Sequence, residues 1–194
     1  MSIPKIIHYC WFGGGPISPE NRKCMESWKK YCPDYKIMVW NEQNFDISTN
    51  RYAQQAYAAK KYAFVSDYVR LAVLYEYGGI YLDTDVELVR PLDELLEYKG
   101  FIGMEHSMPT PYGRTLLVNT GSGVGAEPGC EMIGKMLASY RNAAFVQETG
   151  ESDLRTCTQR DTPLFAKAGL QQKNEQQELD GFLVLPTDCF SPFD

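Results

Sequence analysis

Two aspartates one residue apart, Asp83 and Asp85, follow directly on the apolar run Ile80-Tyr81-Leu82. In an extended chain residues i and i+2 point the same way, so this spacing predicts two carboxylates side by side at the carboxyl end of a strand. Open α/β sheets form their ligand sites at such strand ends. Two like charges that close repel, and a cation beside them removes the cost. An all-oxygen donor set favours Mg²⁺, Mn²⁺ or Ca²⁺ over zinc. A solvated acidic turn is the other reading of an isolated Asp-x-Asp. The apolar strand before it, and the buried helix before that strand, favour a site.

Asp67 and Arg70 lie three apart on that helix, residues 63–77, whose apolar side chains cover nearly the whole wheel. Charge buried there needs a partner. Either the two form an internal ion pair, or they line a polar cavity. In the second case Asp67 accepts from a hydroxylated ligand and Arg70 pairs with an anionic one. Trp11 ends the first apolar segment beside Gly13-Gly14-Gly15. An indole in that place can stack a flat base or pack into the core. His8 reads as a packed strand residue. Gly121-Ser122-Gly123-Val124-Gly125 has the look of a phosphate cradle, but it lacks the Lys of a P-loop and the acidic residue of a dinucleotide fingerprint. His8 and His106 are the only imidazoles, which leaves few bases for a Ser or Cys triad.

The elements that must position these residues alternate. Residues 3–11 read as a strand closed by a Gly-rich turn. A helix follows from the cap Ser18 and Pro19 to about Cys32. Residues 35–40 are a second strand and 54–61 a helical stretch. The buried helix stops at Gly78-Gly79, and 80–82 is a short strand. Then come a short helix over 92–97, strands over 101–104 and 115–118, and a Gly-rich turn region over 121–129. A helix over 131–140 leads to a polar stretch, 147–160, without clear period, a surface excursion or a loop over a site. A helix over 161–168 and a strand over 182–185 complete the order. The pattern argues for an α/β sheet core whose later strands pair antiparallel.

A chain of 194 residues is one domain in size. With 25 acidic against 19 basic groups it carries a formal charge of −6, which argues against nucleic-acid binding by phosphate attraction. Thirteen Tyr, nine Phe and three Trp suit a site for flat or polyhydroxylated ligands, or a Tyr-rich core. No run reaches the ~18 apolar residues of a membrane span. The N-terminal segment lacks the features of a signal peptide, so the expected location is the cytoplasm. None of the six cysteines forms a Cys-x-x-Cys pair, so reduced thiols are expected rather than a zinc site.

Three segments in order carry a family likeness: Ile3-Pro4-Lys5-Ile6-Ile7-His8-Tyr9-Cys10-Trp11-Phe12-Gly13-Gly14, Ala63-Phe64-Val65-Ser66-Asp67-Tyr68-Val69-Arg70-Leu71, and Leu74-Tyr75-Glu76-Tyr77-Gly78-Gly79-Ile80-Tyr81-Leu82-Asp83-Thr84-Asp85. The set closely resembles the sugar-binding DXD glycosyltransferases, glycosyltransferase family 32. That family includes bacterial capsular and surface-polysaccharide transferases and fungal mannosyltransferases. The set is more distantly similar to the glucosylating domains of large clostridial toxins. The likeness is strongest over residues 3–96. It implies a GT-A fold, a mixed and mostly parallel sheet flanked by helices, forming one nucleotide-sugar-binding catalytic domain over 1–194.

Residue by residue, the resemblance implies that Trp11 packs against the nucleobase and that Ser66, Asp67 and Arg70 contact the donor. Tyr81 would flank the donor. Asp83 would touch the ribose or sugar and a metal-bound water, and Asp85 would coordinate the metal, Mn²⁺ or Mg²⁺. The implied activity is retaining and metal-dependent. It moves a hexose from a nucleotide-diphosphate sugar, UDP preferred, to a glycan or lipid-linked acceptor in surface or capsular polysaccharide synthesis. A lipid-linked acceptor would bring the chain into peripheral contact with the inner face of the membrane. No residue stands out as nucleophile or base. Family members continue past the segment similar to Leu185-Pro186-Thr187-Asp188-Cys189-Phe190-Ser191-Pro192 into a stretch with His and Trp near the donor phosphates. This chain ends at Asp194, so the expected domain is shortened at its C-terminal end. Two rivals remain. A non-catalytic nucleotide-sugar-binding subunit would bind nucleotide and metal without turnover. A haloacid-type phosphohydrolase also places Asp-x-Asp after a strand, but near the start of its core, whereas here more than 80 residues precede the motif.

Overall fold

The structure, a computed structural model, describes residues 2–192; Asp194, where the chain ends, lies outside the described residues. The first apolar segment forms strand β1 (Ile6–Cys10). Helix α1 (Pro19–Tyr31) starts where the Ser18 side chain accepts a hydrogen bond from the Asn21 N–H, with Pro in the first turn, where no donor is lost. Strand β2 is Lys36–Trp40. Helix α2 (Arg51–Ala58) is capped by Asn50, whose side chain accepts from the Ala53 N–H. Helix α3 (Tyr62–Tyr77) is the buried helix, with Val65, Val69, Leu71, Val73 and Leu74 inside. It stops at Gly78, at φ 65°, where a side chain would be strained and would meet Pro4 and Pro128.

Strand β3 (Gly79–Tyr81) follows at once. Then come β4 (Gly100–His106), β5 (Leu116–Ala126), α4 (Glu131–Ala138), α5 (Cys157–Lys167), β6 (Gln177–Leu179), β7 (Phe182–Leu185) and α6 (Thr187–Phe190). The strands make one sheet in the order β2-β1-β3-β5-β4-β7-β6. The pairings run β1, β2, β3, β4 and β7 one way and β5 and β6 the other. The sheet is thus mixed and mostly parallel. Both faces are buried, because successive strand residues go to opposite apolar clusters. Tyr81, Ile102 and Val184 join the cluster around α3, and Ile80, Phe101 and Leu183 join the one around Trp28 of α1.

His8 is fully buried and ties three elements together. The Trp40 indole N–H donates to His8 Nδ1 at 3.0 Å, and His8 Nε2 lies 2.8 Å from the Gly78 carbonyl. An indole only donates, so Nδ1 accepts and Nε2 carries the proton. Burial accordingly lowers the pKa of this imidazole. The neutral ring fixes the end of α3 against β1 and β2, and with it the start of β3.

Three expectations are corrected. Residues 121–126 are strand, not turn: β5 runs through them to Ala126. The glycines there do not cradle a phosphate. A Cβ at Gly123 would collide with the Phe190 ring and one at Gly125 with the Phe101 ring, so the missing side chains make room for aromatics. A strand with alternate glycines lacks the apolar signal of a strand and passes for a turn. Helix α5 begins at Cys157, inside the polar stretch, where Thr156 and Gln159 form a reciprocal capping box. The helix expected over 92–97 is a single 3₁₀ turn, Asp93–Leu95. Strand β6 and helix α6 had no counterpart in the sequence reading.

Candidate active site at the end of β3

The chain leaves β3 at Tyr81 and turns over Asp83–Val86, where the Val86 N–H donates to the Asp83 carbonyl at 3.0 Å. The extended i, i+2 geometry therefore does not place the two aspartates; a tight turn does. Thr84, between them, is buried and accepts a hydrogen bond from Asn21 of α1 at 2.8 Å. Trp28 donates to the Val86 carbonyl at 2.8 Å, and Ser27 accepts from the Leu88 N–H at 2.8 Å. Helix α1 thus holds the turn by its middle and its far end. With Thr84 turned inward, Asp83 and Asp85 both line one cavity of about 870 Å³. Its other polar lining includes Asn119, Ser122, Asp188 and Arg90. The volume falls within the usual range for a small-molecule site.

Behind the turn lies a row of charges. Asp83 Oδ1 accepts from the Tyr81 hydroxyl at 2.9 Å and from Arg70 Nη2 at 3.3 Å. The same Arg70 nitrogen is 3.2 Å from Asp67 Oδ1. Arg70 Nη1 donates to Thr120 at 3.1 Å, and the guanidinium sits 4.7 Å above the Tyr81 ring. Arg70 is 3% exposed. Burial works against its charge, but Asp83, Tyr81 and Asp67 outweigh burial and hold its pKa well above the ordinary value. Burial also raises the pKa of Asp67, with Arg70 opposing, and it raises that of Tyr81, with Asp83 adding to the shift. The sequence left open an internal ion pair or a cavity-lining pair; in the structure Asp67 and Arg70 are ion-paired and sealed, and Asp83 is the member that meets the cavity.

Strand β5 closes the site from the other side. Its pairing with β4 jumps from Gly103 opposite Asn119 to Ile102 opposite Val124, so residues 120–123 bulge. The bulge turns Thr120 toward Arg70 and brings the Gly121 carbonyl to the Asp83 N–H at 3.0 Å. A Cβ at Gly121 would overlap the Asp83 carboxylate. Cys157, at the start of α5, lies 3.9 Å from both Arg70 Nη1 and Asn119 Oδ1.

The sequence-derived residues divide into three groups. Asp83 and Asp85 line the cavity. Asp67, Arg70 and Tyr81 are buried behind Asp83. Ser66 and Trp11 are half-buried and stand apart. The Ser66 hydroxyl donates to the Tyr62 carbonyl at 3.1 Å, and the Trp11 indole N–H donates to the Gly15 carbonyl at 2.7 Å. Trp11 belongs to neither apolar cluster. Asn119, Thr120, Cys157 and Asp188 were missed, and Gly121, read as part of a phosphate cradle, instead makes room for the Asp83 carboxylate. The one available signal was Asn119-Thr120 immediately before the alternate glycines.

Among the described residues no three His, Cys, Asp or Glu side chains converge as a ready-made metal cage. Asp83 and Asp85 still fit a hard divalent ion. Mg²⁺ in particular takes one or two protein carboxylates and completes its shell with water and substrate phosphates. Asp83 Oδ1 is already engaged by Tyr81 and Arg70, and Asp85 is exposed, so Asp85 is the freer donor.

Residues 18–102 match the family model described as glycosyltransferase sugar-binding region containing DXD motif. The inositol phosphoceramide mannosyltransferase 3 of Schizosaccharomyces pombe is 34% identical over 116 residues, 52% of this chain and 29% of that protein. The mannosyl phosphorylinositol ceramide synthase of Saccharomyces cerevisiae is 30% identical over 111 residues, 52% of this chain and 27% of that protein. The chain thus spans under a third of the length of these yeast relatives. Among solved structures, the PaToxG glycosyltransferase superposes with a TM-score of 0.58 at 24% identity, covering 87% of this chain and 72% of that one. The likeness establishes a GT-A type fold. Among the described residues no helix is long and apolar enough to cross a membrane.

Proposed function

We propose that this chain, whose residues 18–102 match the model of the glycosyltransferase sugar-binding region containing the DXD motif, moves a hexose from a nucleotide-diphosphate sugar to a hydroxyl of a glycan or lipid-linked acceptor. The observation that carries the reading is the turn at Asp83–Val86. It presents two carboxylates to one cavity at the carboxyl end of β3, with one of them neutralised from behind by a sealed arginine.

Asp85, with Asp83, would hold a divalent ion, Mn²⁺ or Mg²⁺, which when bound offsets the negative charge of the diphosphate leaving group as a Lewis acid. Arg70 acts at one remove. Its guanidinium is engaged by Asp67, Asp83 and Thr120, so its part is to hold the Asp83 carboxylate in place and offset its charge. Tyr81 fixes the same carboxylate oxygen from below the turn. Trp11 is the platform proposed for the base; it is partly open and free of the core. Ser66 precedes Asp67 on α3 and is proposed to contact the donor. Mannose is the sugar in the names of the yeast relatives, and ceramide-linked inositol phosphate the acceptor in those names. They support a hexose donor and a lipid-linked acceptor; UDP as the nucleotide, retention of configuration and a role in capsular or surface polysaccharide rest on the family resemblance.

A panel of UDP- and GDP-hexoses, read by nucleotide release with Mn²⁺ or with EDTA, tests the proposal. Release is expected with one donor class, lost with EDTA and lost in Asp85→Asn. Release indifferent to EDTA and to Asp85→Asn overturns it. Tight metal-dependent nucleotide binding with no turnover on any donor would assign the chain a binding role instead.

A further inference from the structure

Asp161 is a buried acid that no partner accounts for. It lies in the second turn of α5, fully buried, and neither carboxyl oxygen has a hydrogen-bond partner. The Tyr140 hydroxyl, on the segment after α4, is buried and equally unpartnered. The groups whose charge reaches Asp161 come from every side: Asp67 and Arg70 on α3, Arg160 and Cys157 on its own helix, and Tyr140. Each arginine has another carboxylate as its ion-pair partner, and although the buried Arg160 Nε has no partner, it makes no bond to Asp161. Arg70 is held by Asp67 and Asp83, and Arg160 by Asp153, with its guanidinium 4.8 and 4.9 Å from the rings of Tyr52 and Tyr140.

An ionised Asp161 would be a second buried carboxylate near Asp67 with no donor of its own, among the costliest groups to bury. A protonated Asp161 is neutral and is itself a donor. Cys157, one helical turn earlier, lies 3.9 Å from Arg70 Nη1, so this face of α5 abuts the row Asp67–Arg70–Asp83. We propose that Asp161 is a positioning residue that stays a neutral carboxylic acid in the working protein, leaving Asp67 the sole carboxylate behind Arg70 and so leaving Arg70 to hold Asp83 toward the donor. Loss of that proton adds a negative charge behind Arg70 and weakens its grip on Asp83. Burial, and then the field of Asp67, push the carboxyl up to about 7. The proton is therefore lost within an accessible pH range. The inference rests on the donor reading given above.

The sign for stability follows. The folded chain keeps this proton to about pH 7, whereas an unfolded Asp releases it near 3.8. Between those values the unfolded state binds fewer protons, so the contribution to stability is full below about pH 4 and is lost as pH rises to about 7. Asp161→Asn, neutral at every pH, should lack that decline in urea unfolding of the ligand-free protein. Calorimetry of UDP, or of the nucleotide the donor panel selects, with Mn²⁺ from pH 6 to 8.5 reads the second half. The ratio of wild-type to Asp161→Asn affinity is expected to fall about tenfold across that range, the equivalent of one unit of coupled pKa. Parallel stability profiles overturn the neutral acid, and a pH-independent affinity ratio overturns the positioning role. If Asp161→Asn does not fold, ¹³C-carboxyl NMR of the wild type decides: an Asp161 carboxyl still protonated at pH 6 supports the proposal, and one already ionised there overturns it. Wild type that binds no nucleotide at any pH overturns the donor reading and the positioning role with it, while the ligand-free profiles still decide whether Asp161 is neutral.

Discussion

Gly121 is the position where one methyl group tests the whole construction of the site. Its backbone is in no strained region, so Gly121→Ala costs only what the added carbon touches. That carbon overlaps Asp83 Oδ2 and comes within 3.2 Å of Asn119 Oδ1 and 3.3 Å of Arg70 Nη1. Gly121 lies in the bulge, but β5 is anchored on either side of it, by β4 up to Asn119 and by β3 and β4 from Val124 on, whereas Asp83 stands on a turn with its side chain 39% exposed. The carboxylate must swing out. It then gives up the 2.9 Å bond from Tyr81 and the 3.3 Å bond from Arg70. Charge-assisted bonds of this kind are worth roughly 1.5–3 kcal/mol each when sealed. The exposure of Asp83 discounts both, so a loss of about 2–3 kcal/mol is expected. In a chain of this size that lowers the thermal midpoint by roughly 4–12 °C. If the proposed function holds, metal-dependent nucleotide binding should fall with it, because the displaced Asp83 can no longer share with Asp85 the ion they would hold. Thermal unfolding and calorimetry on one preparation read both quantities. Gly15→Ala is the control, since nothing lies within 4 Å of a Cβ there. Wild-type stability and affinity in Gly121→Ala would mean that Asp83 does not lie against β5, and the reasoning would fail.

Other substitutions separate scaffold from ligand contact. Asp85 is exposed, so Asp85→Asn should move the unfolding free energy by less than about 0.5 kcal/mol while removing the metal dependence of nucleotide binding; a large stability loss would make it a structural residue. Trp11→Ala should weaken nucleotide binding by about 1 kcal/mol with little change in midpoint, given a half-buried ring outside both apolar clusters. A stability loss of ~3–5 kcal/mol with intrinsic affinity unchanged would instead make Trp11 core. Arg70→Met leaves Asp67 buried without its partner and should cost about 3–5 kcal/mol. Arg70→Lys keeps a charge but not the fork that spans Asp67, Asp83 and Thr120, so it should fall between; equal midpoints for Met and Lys would refute the paired role.

What could be read in the chain depended on whether a side chain or its absence carried the structure. The Ser18-Pro19 helix start, the apolar wheel of α3 and the stop at Gly78 are written in residue types with strong local preference, and the structure agrees at each. Strand β5 is specified by glycines that make room for Phe101 and Phe190 from distant segments. No local preference encodes such room, so the strand passed for a turn. The same holds at the site. Asp83 and Asp85 were found from their types, but the reason they share a cavity was not. Extended geometry would have aligned them by the pleat alone. In the structure they are aligned because Thr84 is drawn inward by Asn21, a contact across 63 positions of sequence.

That difference bears on how the site works. Two aspartates on a regular strand would be fixed by sheet hydrogen bonds and equivalent to each other. On a turn they diverge: Asp83 is tied to Tyr81, Arg70 and the β5 bulge, while Asp85 is left to solvent and the cavity. Under the proposed function, a fixed, charge-compensated carboxylate beside a free one suits a site that would form one stable contact with a divalent ion and still admit and release it. The compensation comes from Arg70, whose own charge is sustained against burial by Asp83 itself, by Tyr81 and by Asp67 deeper in α3. The carboxylate at the cavity is thus set by residues that never reach it, which is why the buried face of α3 and the first turns of α5 belong to the site as much as the turn does.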